Sequence, residues 1–466
     1  MKRAKTLLIL SGILVVSVIA ILAERAFKMH VDAINTIDEE VFSISQEDIT
    51  SLSVKKDADS ITIENSDGKW KYTDDKDFPV NQDYVSDMLA NFQSVHASFI
   101  IDNVEDYSQY GLSNPEATIT FTTADGDKVI TFGTFSTIDE KRYICVDGGS
   151  VYLIDEDLLE KISGNVEDYL DRNKVYDFSQ IKKLYATGDV SANIEYDPDG
   201  KYLYTDTYDY YSVDGDVHEA ISSSKVESYL STLKNLDLTK YETYKATDSD
   251  LKKYGLDNPN ITIKLTGEVP VSGDDKDKAV ESKSQTIYFS HKSDADEAYL
   301  YFKGSTIVYT ITADEYESVA KANYKDLRPD EIVSFDWTKV AQLIVGFDGN
   351  NYVVDVEKSK KDGNTYTLDG ETVDFQTVSS KLDTISLTEV GDSYEKGEKE
   401  LSLSVVLDDD NTTKVSLNFY RYDGDSCVVE MDGKVIGLCS RSSMSSLREE
   451  MTSAILNKGK EESTEE

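Results

Sequence analysis

Four histidines, three cysteines and 89 carboxylates are the groups of this 466-residue chain that could do chemistry. One run of them has a spacing that a metal would recognise. Glu195-x-Asp197-x-Asp199-Gly200 ends at Asp206, twelve positions from its start, and imitates the oxygen-ligand spacing of an EF-hand calcium loop. The run opens with Glu, Pro198 interrupts it, and strand-like sequence flanks it. The matching stretch Ile63-Glu64-Asn65-Ser66-Asp67-Gly68 lacks the ligands, so both read as hairpin turns. His30, His96, His218 and His291 have none of the paired spacings of zinc ligands. No Ser-His-Asp or Cys-His arrangement, P-loop or dinucleotide fingerprint is suggested. With so many acids, no single pair marks a glycosidase dyad. No catalytic, cofactor-binding or metal-binding residue is assigned, and a non-enzymatic protein is expected.

The cysteines are Cys145, Cys427 and Cys439, too few for a disulfide framework. Cys427 and Cys439 flank a predicted hairpin turning at Asp432-Gly433. In a two-residue turn Met431 pairs with Lys434 and Cys427 with Leu438. Cys439 then points to the opposite face, because side chains alternate along a strand. No Cys427–Cys439 disulfide is expected on that register.

The elements that position these residues are repeated. Tyr110-Gly111-Leu112-Ser113-Asn114-Pro115 returns as Tyr254-Gly255-Leu256-Asp257-Asn258-Pro259, 144 residues later. Asn-Pro forms turns, and Pro biases its predecessor to extended backbone. Gly111 and Gly255 would supply a φ that other residues resist. The tyrosines can bury a ring and still satisfy the hydroxyl. The signature therefore reads as architecture.

Around each copy the order of elements recurs. Strands flank Asp67-Gly68, Asp199-Gly200 and Asp362-Gly363. Amphipathic helices follow, marked by Tyr84 to Val95, by Val226 to Leu233, and by Phe375 to Ile385. Four strands and a closing helix complete each module, with Leu158, Leu159 and Ile162 in the first closing helix. In the third module Tyr394 keeps the signature position but the Gly, Leu and Asn-Pro are lost. At about 150 residues per domain, the length also suggests roughly three. The expected fold class is α+β: an N-terminal transmembrane helix, then tandem modules of antiparallel sheet plus two helices. The expected division is 1–30 cytoplasmic stub and anchor, 45–175 first module, 176–330 second, 331–456 a diverged third, and 457–466 a disordered acidic tail.

The anchor is the uncharged run from Thr6 to Ala23, preceded by Lys2, Arg3 and Lys5 and closed by Glu24 and Arg25. It is near the roughly 18–20 residues that span a bilayer. It lacks a good small-x-small cleavage site. The positive-inside rule leaves the N-terminus in the cytoplasm and the bulk of the chain outside, single-pass in the cell membrane. The net charge of −41 repels phosphate backbones and excludes nucleic-acid binding. It suits a solvated surface or a partner bearing cations.

With two YGL-x-NP turns behind such a segment, the chain resembles a bacterial domain-of-unknown-function family of membrane-anchored proteins. Its members are often encoded beside gliding-motility-type ABC transporters. The resemblance covers residues 48–328 well and 339–456 loosely. It implies no catalytic residues and a scaffold or accessory role near ABC transporter subunits. The alternative is a surface module binding cell-wall glycan or a cationic peptide through Tyr202, Tyr204, Tyr208, Tyr210 and Tyr211 with Asp206 and Asp209.

Overall fold

A computed structural model describes residues 38–459 of the protein, apart from 204, 206, 272–278, 292–295, 359–362 and 409–412. Alternating runs such as Ile-Thr-Ile in Ile61–Ile63 and Ile119-Thr-Phe121 put every second side chain into a core, and these segments pair as antiparallel strands. Three sheets of nine strands result.

The first sheet comprises β1 (Glu39–Phe42), β2 (Ile49–Lys56), β3 (Asp59–Ser66), β4 (Lys69–Tyr72), β5 (Val95–Ile101), β6 (Ala117–Thr123), β7 (Gly126–Ser136), β8 (Lys141–Val146) and β9 (Val151–Ile154). Its order is β1-β5-β9-β8-β7-β6-β2-β3-β4. The second comprises β10 (Gln180–Gly188), β11 (Ala192–Tyr196), β12 (Tyr210–Asp214), β13 (Val217–Ile221), β14 (Tyr241–Thr243), β15 (Ile261–Pro270), β16 (Val280–His291), β17 (Glu297–Phe302) and β18 (Val308–Thr312). The third comprises β19 (Val340–Phe347), β20 (Asn350–Glu357), β21 (Thr365–Leu368), β22 (Glu371–Val373), β23 (Leu387–Val390), β24 (Lys399–Leu407), β25 (Lys414–Arg421), β26 (Ser426–Met431) and β27 (Lys434–Ser440). Their orders, β13-β12-β11-β10-β15-β16-β17-β18-β14 and β22-β21-β20-β19-β24-β25-β26-β27-β23, are the same path. The first sheet follows that path with one strand fewer in its opening meander and β1 added beyond β5.

Duplication extends to the irregularities. In every module the opening strand of one meander pairs with the opening strand of the next, and the register shifts at the same place. The shifts fall between Ile49 and Ser51, Ile181 and Lys183, and Val340 and Gln342. The strand lying beside the last of the closing meander is also kinked, between Ala97 and Phe99, Tyr241 and Thr243, and Leu387 and Glu389.

Among the described residues the helices connect strands, except the last, which packs Met444, Leu447 and Met451 into the third core. The helices are α1 (Gln82–Ala90), α2 (Ser223–Lys234), α3 (Asp248–Lys253), α4 (Ala313–Val319), α5 (Tyr324–Leu327), α6 (Gln376–Leu382) and α7 (Arg441–Leu456). Asn81 caps α1 by accepting from the Tyr84 amide at 3.0 Å, and Val85, Met88 and Leu89 bury its inner face. Each such side chain stabilises the module by about 1.5–3 kcal/mol.

The α+β expectation is therefore corrected. Strands dominate because the β-branched and tyrosine-rich segments pair across the whole module. The first closing helix, around Leu158, is only a 3-10 turn, Leu158–Lys161. The transmembrane helix and the single-pass membrane placement are corrected as well. Among the described residues no helix is long and apolar enough to cross a membrane. Even α7 has 16 residues and carries Arg448, Glu449 and Glu450. The run 6–23 lies outside the described residues, as do most of the acidic tail and Asp362.

The chain forms two compact units, Met1–Arg172 and Asn173–Glu466. The first contains the first sheet and the second contains the other two. Within the second unit the segment after α5 is stitched to both of its sheets' modules. The Ser222 amide donates to Leu327 O at 3.0 Å, and Lys225 pairs with Asp330 at 2.6 Å. The Ile332 amide donates to Ile385 O and the Leu387 amide to Asp330 O, each at 2.9 Å.

The last hairpin departs from the simple register. Met431 pairs with Lys434 and Glu430 with Val435, but Val429 then pairs with Gly437. Ile436 is the extra residue of a bulge. Gly437 has φ +153°, and a Cβ there would lie 2.1 Å from Glu389 O on β23. Gly437→Ala is expected to destabilise the second unit by on the order of 3 kcal/mol, because backbone would have to move. Urea unfolding of the variant followed by Trp337 fluorescence in a Trp70→Phe background checks this; an unchanged midpoint would contradict the role given to the bulge.

Candidate functional site

The two signature turns occupy equivalent places. Tyr107–Tyr110 forms a 3-10 turn capped by Gly111, and α3 is a short helix capped by Tyr254, with Gly255 the next residue. Gly111 has φ +74° and Gly255 φ +70°, both left-handed. The Gly111 amide donates to Ser108 O at 3.1 Å and the Leu112 amide to Tyr107 O at 3.0 Å. The second copy repeats this: Gly255 to Lys252 O at 3.2 Å, Leu256 to Leu251 O at 2.8 Å. This is the Schellman helix stop, which satisfies the last carbonyls and brings the residue after the glycine onto the residue that opens the last turn.

That residue is the leucine of the signature. Leu112 packs with Cys145 and Val151, flanked by Tyr107, Tyr110 and Tyr143. Leu256 packs with Tyr254 and Val308, flanked by Leu251, Tyr299 and Tyr301. Tyr110 meets Tyr143 at 5.1 Å, and Tyr254 meets Tyr299 at 4.7 Å. Asn114 and Asn258 are exposed, while Pro115 and Pro259 are half-buried at the entries to β6 and β15. Each turn is thus the lid of a small apolar cluster; at the second, the Tyr254 hydroxyl accepts from Lys253 Nζ at 2.9 Å and donates to Glu242 at 3.1 Å.

Modules differ in how they satisfy buried charge. In the first, Arg142 is 8% exposed and donates to Asp157 at 2.6 Å, Glu116 at 2.8 Å and Gly133 O at 2.6 Å. Burial opposes its charge, but the Asp157 and Glu116 carboxylates outweigh burial and push its pKa up. In the third, Glu430 is 9% exposed and accepts from Lys396, from Asn418 at 3.0 Å and from Tyr420 at 3.2 Å. Its pKa is lowered mainly by the Lys396 hydrogen bond.

The calcium-like run is dispersed. Glu195 lies in β11 and pairs with Lys183 at 2.6 Å. Asp197 accepts from the Tyr202 hydroxyl at 2.7 Å, and Asp206 is outside the described residues. Among the described residues no three His, Cys, Asp or Glu side chains are grouped to hold a metal. His218 stacks on Tyr202 at 3.6 Å and His291 on Tyr316 at 4.7 Å. His30 lies outside the described residues.

The tyrosine patch largely turns inward. Tyr208, Tyr210 and Tyr211 are 9%, 5% and 0% exposed, whereas Tyr202 is 47% exposed and Tyr204 is undescribed. Tyr211 donates to Tyr208 O at 2.9 Å and Tyr210 to Ile181 O at 3.0 Å.

Sequence reading missed one constellation. His96 Nδ1 lies 2.7 Å from Asp38 Oδ1, and Nε2 lies 3.0 Å from Ser94 Oγ. The order is that of a nucleophile, base and carboxylate. The Ser94 hydroxyl, however, donates to Glu40 at 2.6 Å, and all four side chains are exposed at the β1 edge. With its one proton given to Glu40, the Ser94 hydroxyl does not donate to His96. Asp38 and Ser94 sit 56 residues apart, so only the pairing of Glu40 with His96 brings them together.

A surface groove also lies in the first unit. One lobe of about 810 Å³ is lined by Glu47, Asp48, Asp125, Thr50 and Lys128. An adjoining lobe of about 620 Å³ shares Glu47 and Thr50 and adds Trp70, Gln82 and Asp83. Carboxylates dominate the charged groups of both lobes.

Residues 70–193 and 214–403 match the family described as a domain of unknown function (DUF4340). The chain belongs to the DUF4340 family. Each matched stretch contains one of the two Tyr-Gly-Leu turns. No curated protein and no solved structure matches the chain.

Two outcomes follow from this geometry. Left-handed backbone costs a residue with a Cβ about 1–2 kcal/mol. At Gly111 a Cβ would also lie 2.8 Å from the Thr134 amide nitrogen, whereas at Gly255 it meets the movable Ser290 hydroxyl at 2.6 Å. Gly111→Ala is therefore expected to destabilise its module more than Gly255→Ala does, as read from the two urea midpoints. Glu430, depressed below its ordinary 4.5, contributes stability above that value and loses it as pH falls through the lower native value. Glu430→Gln should flatten the acid limb of the stability profile below about pH 4.5; a limb as steep as in the unsubstituted protein would refute this assignment.

Proposed function

We propose that the protein is a non-enzymatic scaffold or accessory protein associated with an ABC-type transport system. The observation that carries this reading is the threefold repetition of one sheet path, down to its kinks, with the signature turns consumed as internal lids. A repeated rigid core leaves function to surfaces that differ between modules. The link to a transporter is supported by the family resemblance alone. The acidic groove of the first unit supports a docking role, since Glu47, Asp48, Asp83 and Asp125 suit a partner surface bearing cations.

Affinity purification of the full chain at low ionic strength tests the proposal. Transporter subunits are expected in the eluate and are expected to be lost from a Glu47→Lys/Asp48→Lys variant of unchanged melting temperature. An eluate without transporter subunits would overturn the association. Equal recovery with the variant would remove the groove from it.

A further inference from the structure

The bulge at Ile436 has a second consequence. It shifts the upper part of the last hairpin by one residue and makes Cys427 and Cys439 direct cross-strand partners. The simple register would have put their side chains on opposite faces. Both are instead in the core of the third module, each 0% exposed, and both are free thiols. Directly opposed residues of an antiparallel pair have Cα atoms about 4.5 or 5.5 Å apart. Both spacings fall in the Cα window of roughly 4.4–6.8 Å that a disulfide requires. Cys145 is the internal contrast: its cross-strand partners are Thr131 and Val151.

We propose that Cys427 and Cys439 form a reversible intramolecular disulfide that locks β26 to β27 beneath α7. The oxidant is a low-molecular-weight or protein disulfide. A thiolate of the pair attacks it and releases one thiol, and a mixed disulfide forms. The second cysteine attacks that mixed bond and releases the other thiol. Two protein thiols become one S–S bond, the external disulfide takes up both electrons, and the two protons end on the released thiols.

The surroundings set when this occurs. The Cys427 thiol donates to Glu400 at 3.5 Å, and Glu400 is held by Arg441 at 2.9 Å. Burial pushes both thiols up to about 12. In the closed hairpin they are therefore protonated and shielded. Exchange requires local opening, and β27 is flanked on its outer side only by the four-residue edge strand β23. Once formed, the bond closes a hairpin already in its native register, so it opposes unfolding without rearranging the core.

The test uses the full, reduced chain. It is incubated with oxidised glutathione at mildly alkaline pH, in urea just below the unfolding transition. Remaining thiols are then alkylated and the digest is mapped by mass spectrometry. The expected result is a loss of two hydrogens, a cross-linked peptide joining Cys427 to Cys439, an alkylated Cys145, and a higher urea midpoint than the reduced chain. Cys427→Ser should instead retain glutathione on Cys439. Stable glutathione adducts on Cys427 or Cys439 of the unsubstituted chain, their recovery as separate alkylated peptides, or a lower midpoint of the cross-linked form would each overturn the proposal. The unsubstituted chain decides the matter if the variant does not fold.

Discussion

Each module depends on one antiparallel seam, where the opening strand of the first meander meets the opening strand of the second. The joined strands are far apart in the chain: β2 and β6, β10 and β15, β19 and β24. The meanders on either side are local structures that hairpin turns can specify. The seam is not local, so its loop-closure entropy must be met by burial on a shared face. Leu52, Val54, Ile119 and Phe121 meet that need in the first module, and Leu343, Val345, Leu403 and Val405 in the third; all are at most 1% exposed. The common kink at the start of the seam turns the strand so that both halves close over one core.

Turn chemistry then fixes the register on either side. Asp67-Gly68, Asp348-Gly349, Asp369-Gly370 and Asp432-Gly433 all have positive φ at both residues, the twist that suits a two-residue hairpin. The abundance of acids in this chain is thus partly a backbone requirement as well as a solvation device. The signature glycines act at a different kind of boundary. They stop a helical turn and throw a leucine onto the outer face of the sheet, where tyrosines from β8 or β17 receive it.

The third module shows what happens when that lid is lost. By sheet position Glu430 stands where Cys145 and Tyr301 stand in the other modules. Without a Gly-Leu stop above it, the site holds an ion pair with Lys396 and hydrogen bonds from Asn418 and Tyr420. Tyr394, which keeps the signature tyrosine, meets Tyr422 at 5.6 Å instead of covering a leucine. Removing one partner of a carboxylate paired in this way is costly, because the other charge is left without its counter-ion. The replacement changes the face of the module more than its core.

Much of the architecture was legible in the residues themselves. Strand alternation, Asp-Gly turns, the Asn81 cap and the repeated Tyr-Gly-Leu are local signals, and local chemistry decides them. The balance of sheet over helix was not legible: Leu158, Leu159 and Ile162 carry helical spacing, yet the chain makes one 3-10 turn and is already extended at Ile162. Nor was the inward turn of Tyr208, Tyr210 and Tyr211, which depends on what packs above them. The sequence by itself determined the repeated path and its turns, since hairpins and helix stops need only a few adjacent residues. The tertiary structure alone decided that Asp38 and Ser94 flank His96 and that Cys427 faces Cys439. In the latter case Ile436 stands out of the ladder beside the close approach of β23 to Gly437, and a one-residue slip exchanges the two faces of a strand.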